Sequence, residues 1–97
     1  MSKIFIDLND SNFQREMFEL QKDEQRALLN TLKKISKLNW SELYKDKGIR
    51  WELIRKNQQE DELYSFRFSK KYRGTAYREG DVMVLIELFP DHDSTYK

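Results

Sequence analysis

The sequence predicts one α+β domain, in which an N-terminal helical hairpin packs on one face of a small, mainly antiparallel twisted sheet of four or five strands. Apolar residues recur at helical spacing in the first part of the chain and in alternation in the second part. Helices grouped before strands are typical of a sandwich of helices on a sheet. Three glycines and one proline leave no interdomain linker, so residues 1–97 are assigned to one domain.

The N-terminal part predicts a short strand and then a helix. Apolar residues occupy alternate positions from Ile4 to Leu8, which is the period of a strand. Ser11 stands three residues before Gln14, as in a capping box, and a helical stripe follows. We therefore expect Ser11 to cap the first helix.

A second, longer helix is predicted to begin at a cap on Asp23. Its expected apolar stripe consists of Leu28, Leu32 and Ile35, widened by Leu29 and Leu38. Since only Gln21 and Lys22 separate it from the first helix, the two should form an antiparallel hairpin. Beyond Trp40, residues 41–48 are polar and end in a glycine, which indicates a loop.

The remaining strands follow from alternation. Ile49, Trp51 and Leu53 predict one strand, which ends in the polar turn at residues 57–61. The next strand, residues 63–69, places Tyr64, Phe66 and Phe68 on a core face and Ser65, Arg67 and Ser69 on a polar face. Trp40 and Trp51 are interpreted as core residues.

The last two strands are predicted at residues 72–79 and 82–89, joined by a turn at Gly80 and Asp81. The run from Val82 to Ile86 is apolar on both faces, as in a central strand. Pro90 lacks a backbone donor and is expected to end the sheet. Arg73 shares one face with Thr75 and Tyr77, and we take this face to be the open one.

Composition narrows the classes of function. The chain has no cysteine, which excludes disulfides and thiolate zinc sites. No apolar run approaches the length of a membrane span, and an early Asp7 argues against a signal peptide, so we expect a cytoplasmic protein without membrane partners. Residues 45–80 contain ten Lys/Arg and six Asp/Glu, a local charge of +4. This asymmetry favours a face that binds an anion, and a mixed solvated surface is the alternative.

Motifs for metal or cofactor chemistry are weak. Asp91, His92 and Asp93 are consecutive, so their side chains diverge and are poorly placed to share one ion. A triad of Ser94, His92 and Asp91 lacks a nucleophile elbow. Glycine-rich phosphate loops are absent from the sequence. We therefore expect neither metal nor cofactor.

The cationic face is suited to RNA cleavage, because RNA carries its own nucleophile, the 2′-hydroxyl. A protein then has only to orient that group, stabilise the phosphorane charge and move protons. Arg67 and Arg73 could clamp the scissile phosphate from adjacent strands. Lys70 and Lys71, at the turn between these strands, could hold flanking phosphates.

Two residues of the C-terminal segment complete the hypothesis. His92 can carry a proton near neutral pH, and Tyr96 can stack on a base or hydrogen-bond to the phosphate. Each residue also has an ordinary interpretation. Arg67 can be a solvated strand residue, Arg73 can pair with a carboxylate such as Glu87, and Tyr96 can be frayed or pack on the sheet.

Four segments together resemble a known family. They are residues 48–53 (Gly-Ile-Arg-Trp-Glu-Leu), residues 63–69 (Leu-Tyr-Ser-Phe-Arg-Phe-Ser), residues 71–73 (Lys-Tyr-Arg), and a tail with His92 and Tyr96. Preceded by two short helices, this pattern is similar to the RelE/ParE toxin superfamily, including its HigB and YoeB branches. The similarity extends over nearly the whole chain.

The resemblance implies a type II toxin that cuts mRNA on the ribosome without a metal and is held in check by a cognate antitoxin. By position in the family pattern, Arg73 would stabilise the phosphate, with Arg67 and Ser65 as the residues of the preceding strand. Tyr96 matches the terminal aromatic residue, and His92 matches the histidine of the HigB-like and YoeB-like members. The alternatives are a ParE-type toxin that inhibits DNA gyrase, and an interaction module without catalytic activity.

Overall fold

The computed structural model describes residues 3–56 and 62–90. Within them the chain forms three helices and a five-stranded mixed sheet, so the α+β class predicted from the sequence is confirmed. The elements are β1 (Phe5–Asp7), α1 (Ser11–Glu19), α2 (Lys22–Ser36), α3 (Trp40–Lys45), β2 (Glu52–Lys56), β3 (Glu62–Arg67), β4 (Tyr72–Glu79) and β5 (Val82–Pro90).

The sheet has the strand order β1-β5-β4-β3-β2. β1 pairs with β5 in parallel, and the other three pairings are antiparallel. β4 and β5 are joined at the predicted turn, where Gly80 has φ 62° directly before Asp81. Glycine adopts this left-handed conformation without the steric cost of a Cβ atom.

The helix caps differ from those predicted. Asp10, not Ser11, caps α1, and its Oδ1 accepts a hydrogen bond from Phe13 N at 2.9 Å. α2 begins at Lys22 and places Asp23 in its first turn, where a carboxylate still stabilises the helix dipole. The predicted cap lies one position too late for α1, where Asp10 and Ser11 stand together. It lies two positions too late for α2, whose N-cap residue Gln21 makes no side-chain capping hydrogen bond.

The predicted loop at residues 41–48 was wrong in its first part, which forms α3. Asn39 Oδ1 accepts from Glu42 N at 2.9 Å, and Glu42 Oε1 accepts from Asn39 N at 2.9 Å. This reciprocal capping box satisfies the first free amides of a short helix, which also buries Trp40 and Leu43. Trp40 was already interpreted as a core residue, whereas the polar composition of residues 41–48 concealed the inward position of Leu43.

One hydrophobic core lies between the helices and one face of the sheet. Its members include Phe13 from α1, Leu28 from α2, Phe66 from β3 and Leu85 from β5, all fully buried. Leu28, Leu32 and Ile35 of the predicted α2 stripe are buried, whereas Leu29 is 61% exposed and does not belong to the core. Leu38, also predicted in this stripe, follows the end of α2 and is partly buried. Trp40 and Trp51 are buried, as predicted.

Strand β5 lies second from one edge of the sheet and is buried mainly on one face. Met83 and Leu85 are buried, whereas Val82 and Val84 are partly exposed, so the expectation of a strand buried on both faces was wrong. Pro90 is the last residue of the strand, opposite Tyr72, rather than the first residue beyond it. A proline is accommodated there because little of the ladder follows it.

Helix α1 is tied to the free side of β5. β1 pairs only with residues 82–84 of that strand, which leaves the amides further along without a strand partner on this side. The Glu16 carboxylate accepts a hydrogen bond from Leu88 N at 2.8 Å. A buried amide is costly when unsatisfied, so this bond fixes α1 against the sheet.

Replacing Gly74 by alanine is expected to destabilise the protein by about 1–3 kcal/mol through overpacking. An added Cβ atom would lie 2.5 Å from Phe66 Cζ, and this ring is fully buried and cannot move aside. Gly48→Ala is the control, because its Cβ would meet only Asp46 Oδ1 at 3.4 Å. Urea unfolding of the two variants would measure the difference, and equal midpoints would contradict the packing argument.

Candidate functional site

The strand register places Arg67 of β3 directly opposite Arg73 of β4. Gly74, which pairs with Phe66, is buried against the core, so its neighbour in the strand faces the other way. The sequence analysis assumed that Arg73 lies on the face away from the helices, and the structure confirms this phase. The two arginines are thus cross-strand neighbours, whose Cβ atoms lie about 5 Å apart in such pairs.

The Arg73 side chain is held by two neighbouring strands. Its Nη2 atom donates to Ser65 Oγ at 2.6 Å and lies 3.3 Å from Glu52 Oε1. The side chain is only 12% exposed, so its position is well defined. A guanidinium group has five N–H donors, and these two contacts use one nitrogen. The remaining donors are suited to an anion that approaches from solvent.

Glu52 is the residue of this site that the sequence analysis missed. It lies opposite Ser65 in the β2–β3 register, and its second carboxylate oxygen is 3.5 Å from Arg50 Nη2. The alternation that placed Trp51 in the core already put its neighbour on the arginine face. The sequence analysis named Glu87 as a possible partner of Arg73, but Glu87 lies opposite Thr75.

The arginine face is less open than predicted at its centre. Ser65 and Thr75 are cross-strand partners with exposures of 4% and 3%. Both are short side chains among longer neighbours, and Arg73 lies against Ser65 through their hydrogen bond. Ser65 therefore holds the arginine and is not free at the surface.

The turn between β3 and β4 carries the two predicted lysines. Lys70 and Lys71 are both exposed. Ser69, expected on the polar strand face, lies in the turn, where its Oγ accepts from Lys71 N at 3.2 Å and from Tyr72 N at 3.1 Å. These bonds fix the backbone from which the lysine side chains extend.

A cleft of about 350 Å³ opens between this turn and α2. Its lining residues are Thr31, Lys34, Gly48, Ile49, Arg67, Phe68, Ser69 and Lys70. Arg67 thus belongs both to the cross-strand pair and to the cleft, and its backbone amide donates to Ile49 O at 2.6 Å. The cleft and the arginine pair therefore adjoin at Arg67.

Asp46 organises the loop on the far side of this cleft. Its Oδ1 accepts from Gly48 N and Ile49 N, each at 2.9 Å, and its Oδ2 lies 2.9 Å from Lys34 Nζ. The hydrogen bond from Lys34, and then the bond from the Ile49 amide, lower the pKa of this carboxyl below its usual value. The same loop holds Arg50 at φ 55°, a left-handed conformation that is uncommon for a side chain of this size.

An aromatic row supports β2 and β3 beside the site. The Trp51 and Tyr64 rings are stacked with centroids 4.6 Å apart, and Tyr44 meets Tyr64 edge-on at 6.2 Å. The Tyr64 hydroxyl donates to Glu62 Oε1 at 3.0 Å. Its hydrogen bond with Tyr44, burial and the Glu62 carboxylate raise the pKa of Tyr64, so it stays neutral.

His92 and Tyr96, the predicted proton carrier and the predicted substrate-positioning residue, lie outside the described residues. The alternative metal or triad residues Asp91, Asp93 and Ser94 also lie outside them. Within residues 3–56 and 62–90, no group of three or more His, Asp or Glu side chains is placed to hold a metal ion. Among the described helices, none is long and apolar enough to cross a membrane.

No protein-family model, curated protein or solved structure matches this chain significantly. The resemblance to the RelE/ParE superfamily therefore stays a prediction from the sequence. The candidate site is defined by its geometry alone: a cross-strand arginine pair, a carboxylate and a serine that hold one arginine, and an adjoining basic cleft.

Asp46→Ala is expected to lower the free energy of unfolding by about 2 kcal/mol at neutral pH, because it removes the acceptor for two loop amides. Asp46→Asn can keep those acceptors and loses only the ion pair with a half-exposed lysine, so its cost should stay below about 1 kcal/mol. Urea unfolding would measure both. Equal losses would show that the ion pair, not the amide bonds, holds the loop.

The same carboxylate predicts a dependence on pH. The pKa of Asp46 in the folded protein lies below its ordinary value of 3.8, so its contribution to stability is complete well above pH 3.8. The contribution is lost as the pH falls through the folded pKa. The difference in stability between the wild type and Asp46→Asn should therefore shrink below pH 3.8. A difference that stays constant down to pH 2 would contradict a lowered pKa.

Proposed function

We propose that this protein is a type II toxin of the RelE/ParE kind that acts as a ribosome-dependent mRNA endonuclease. The observation that carries the proposal is the pairing of Arg67 with Arg73 across adjacent strands on the face away from the helices. Two guanidinium groups side by side match the charge and geometry of a phosphodiester. The sequence resemblance assigns this role to the same two residues.

The proposed reaction uses the 2′-hydroxyl of the RNA as nucleophile. Its oxygen attacks the adjacent phosphorus and loses its proton, while the bond to the 5′-oxygen breaks and that oxygen gains a proton. Negative charge accumulates on the non-bridging oxygens in the transition state, where fixed cations stabilise it more than they stabilise the substrate. The protein then has to supply charge, orientation and two proton transfers.

Each candidate residue has a role in this scheme. Arg73 stabilises the phosphorane, and its contacts with Ser65 and Glu52 hold it in place before substrate binds. Arg67 completes the clamp. The exposed lysines Lys70 and Lys71 bind flanking phosphates.

The proton transfer and substrate positioning come from the C-terminal segment in this proposal. Histidine is the side chain whose ordinary pKa lies near neutral pH, and in this proposal His92 carries the proton. Tyr96 stacks on a base or hydrogen-bonds to the phosphate. These two roles rest on the sequence resemblance.

The proposed partners are the ribosome with its mRNA and a cognate antitoxin protein. The resemblance supports both, together with a cytoplasmic location. An antitoxin would lay a helix or an extended segment over the toxin and cover its cationic residues. The arginine pair and the adjoining basic cleft are the surfaces where such a partner would block RNA.

A ParE-type gyrase inhibitor is the second candidate, and one observation favours it. Arg73 is 12% exposed and already bound to Glu52 and Ser65, as expected of an arginine that only ties strands together. In a toxin that is not a nuclease, Arg73 would only tie the strands together, and no residue would have to carry a proton. An inactive interaction module is compatible with the same contacts.

Arg73→Ala is expected to lower mRNA cleavage about 100-fold to 1,000-fold, because one fixed donor to the transition-state charge is lost. New mRNA ends would be mapped after induced expression, beside the wild type and the exposed-site control Arg15→Ala. Thermal unfolding would establish that each variant is folded. Arg73→Lys should recover only part of the activity, since an ammonium group cannot form the bidentate contact.

The same experiment separates the two kinds of toxin. Growth arrest without new mRNA ends in the wild type would exclude the nuclease and favour gyrase inhibition. A His92→Ala and Tyr96→Phe double variant should lose cleavage if the nuclease proposal holds. Undiminished toxicity of this folded double variant would contradict it.

A further inference from the structure

We propose that the cleft between α2 and the β3–β4 turn binds a phosphate group of single-stranded RNA next to the one held by the arginine pair. This inference rests on the proposed nuclease function and assigns it a second subsite. It also gives Lys70, which lines the cleft, a larger share of the phosphate binding than Lys71, which does not line it. A cleft of about 350 Å³ is large enough to admit part of a nucleotide rather than a single ion.

The charge of the lining favours an anion. Its residues include three cations, Lys34, Arg67 and Lys70, and no carboxylate. Lys34 is also held by Asp46 at 2.9 Å, which fixes the ammonium group at the cleft wall. An ammonium group has three donor hydrogens, so this ion pair leaves donors for a ligand. The Asp46 carboxylate thus pairs with the lysine and does not itself line the cleft.

The hydroxyl groups of the cleft favour an oxygen-rich ligand. Ser69 Oγ already accepts hydrogen bonds from two backbone amides, Lys71 N and Tyr72 N. With its lone pairs engaged, this hydroxyl is left to act as a donor. Thr31 supplies a second hydroxyl from α2. Donors of both kinds, charged and neutral, therefore surround the space, as in phosphate contacts of nucleic-acid-binding proteins.

The position of the cleft favours a polymer over free phosphate. Arg67 lines it and is the cross-strand neighbour of Arg73, so the two subsites share one residue. A single-stranded RNA that places one phosphate at the arginine pair would bring its neighbouring phosphate toward the cleft. In free phosphate or a mononucleotide no second nucleotide is attached, so binding at one site would not favour binding at the other.

The test compares matched pairs of variants that carry the same change in charge. Lys70→Gln and Lys71→Gln alter exposed residues of one turn, and only the first lines the cleft. Thr31→Glu and Asn30→Glu introduce a carboxylate at adjacent positions of α2, and only the first lies in the cleft. Binding would be measured by fluorescence anisotropy with a 2′-O-methyl RNA, which cannot be cut, over a range of salt concentrations.

Lys70→Gln should weaken binding about threefold and reduce the slope of log affinity against log salt by about 0.7. Thr31→Glu should weaken binding about tenfold, because a carboxylate then faces the phosphate. Each control variant, Lys71→Gln or Asn30→Glu, should change the affinity for RNA less than the cleft variant with which it is paired. If Thr31→Glu does not fold, the two lysine variants still decide the outcome.

Three results would overturn the assignment. Equal effects within each matched pair would indicate diffuse surface charge, and unchanged affinity in all four variants would exclude the cleft. Displacement of the RNA by inorganic phosphate at matched ionic strength, with an affinity equal to that of the RNA, would assign the cleft to free phosphate. Binding that depends on Lys70 in a wild type without nuclease activity would reject the proposed function and retain the cleft.

Discussion

The contact between Gly74 and Phe66 determines how the two central strands of the sheet relate to the rest of the molecule. The Phe66 ring occupies the space that any side chain at position 74 would need. The two residues are also cross-strand partners, so their contact secures the register of β3 against β4. This register sets Arg67 opposite Arg73 on the other face. A packing constraint in the core therefore defines the spacing of the charged groups at the surface.

The loop around Asp46 performs a comparable task at the edge of the sheet. One carboxylate joins α2, through Lys34, to the chain that enters β2. The residues that follow it supply a wall of the basic cleft and then Glu52, which holds Arg73. The same short stretch of chain thus contributes Gly48 and Ile49 to the cleft and Glu52 to the arginine site.

Alternation in the sequence predicted the strands and the face on which the arginines lie, because the period of a strand is a local property. Glu52 as the partner of Arg73 and the burial of Ser65 depend on the pairing of separate strands, which no local pattern specifies. Helix α3 was missed for a different reason. Its signature, Asn39 with Glu42, is present in the sequence, but polar composition outweighed it. Function stays a prediction, since it rests on a resemblance.

The parallel pairing of β1 with β5 ties the assembly of the sheet to the order of synthesis. The strand made first, Phe5–Asp7, has Val82–Val84 as its partner, near the opposite end of the chain. While the protein is being translated, this early strand has no edge on which to pair until β5 has left the ribosome. The five-stranded sheet therefore forms only after nearly all of the described chain has been made, and nascent chains lack it.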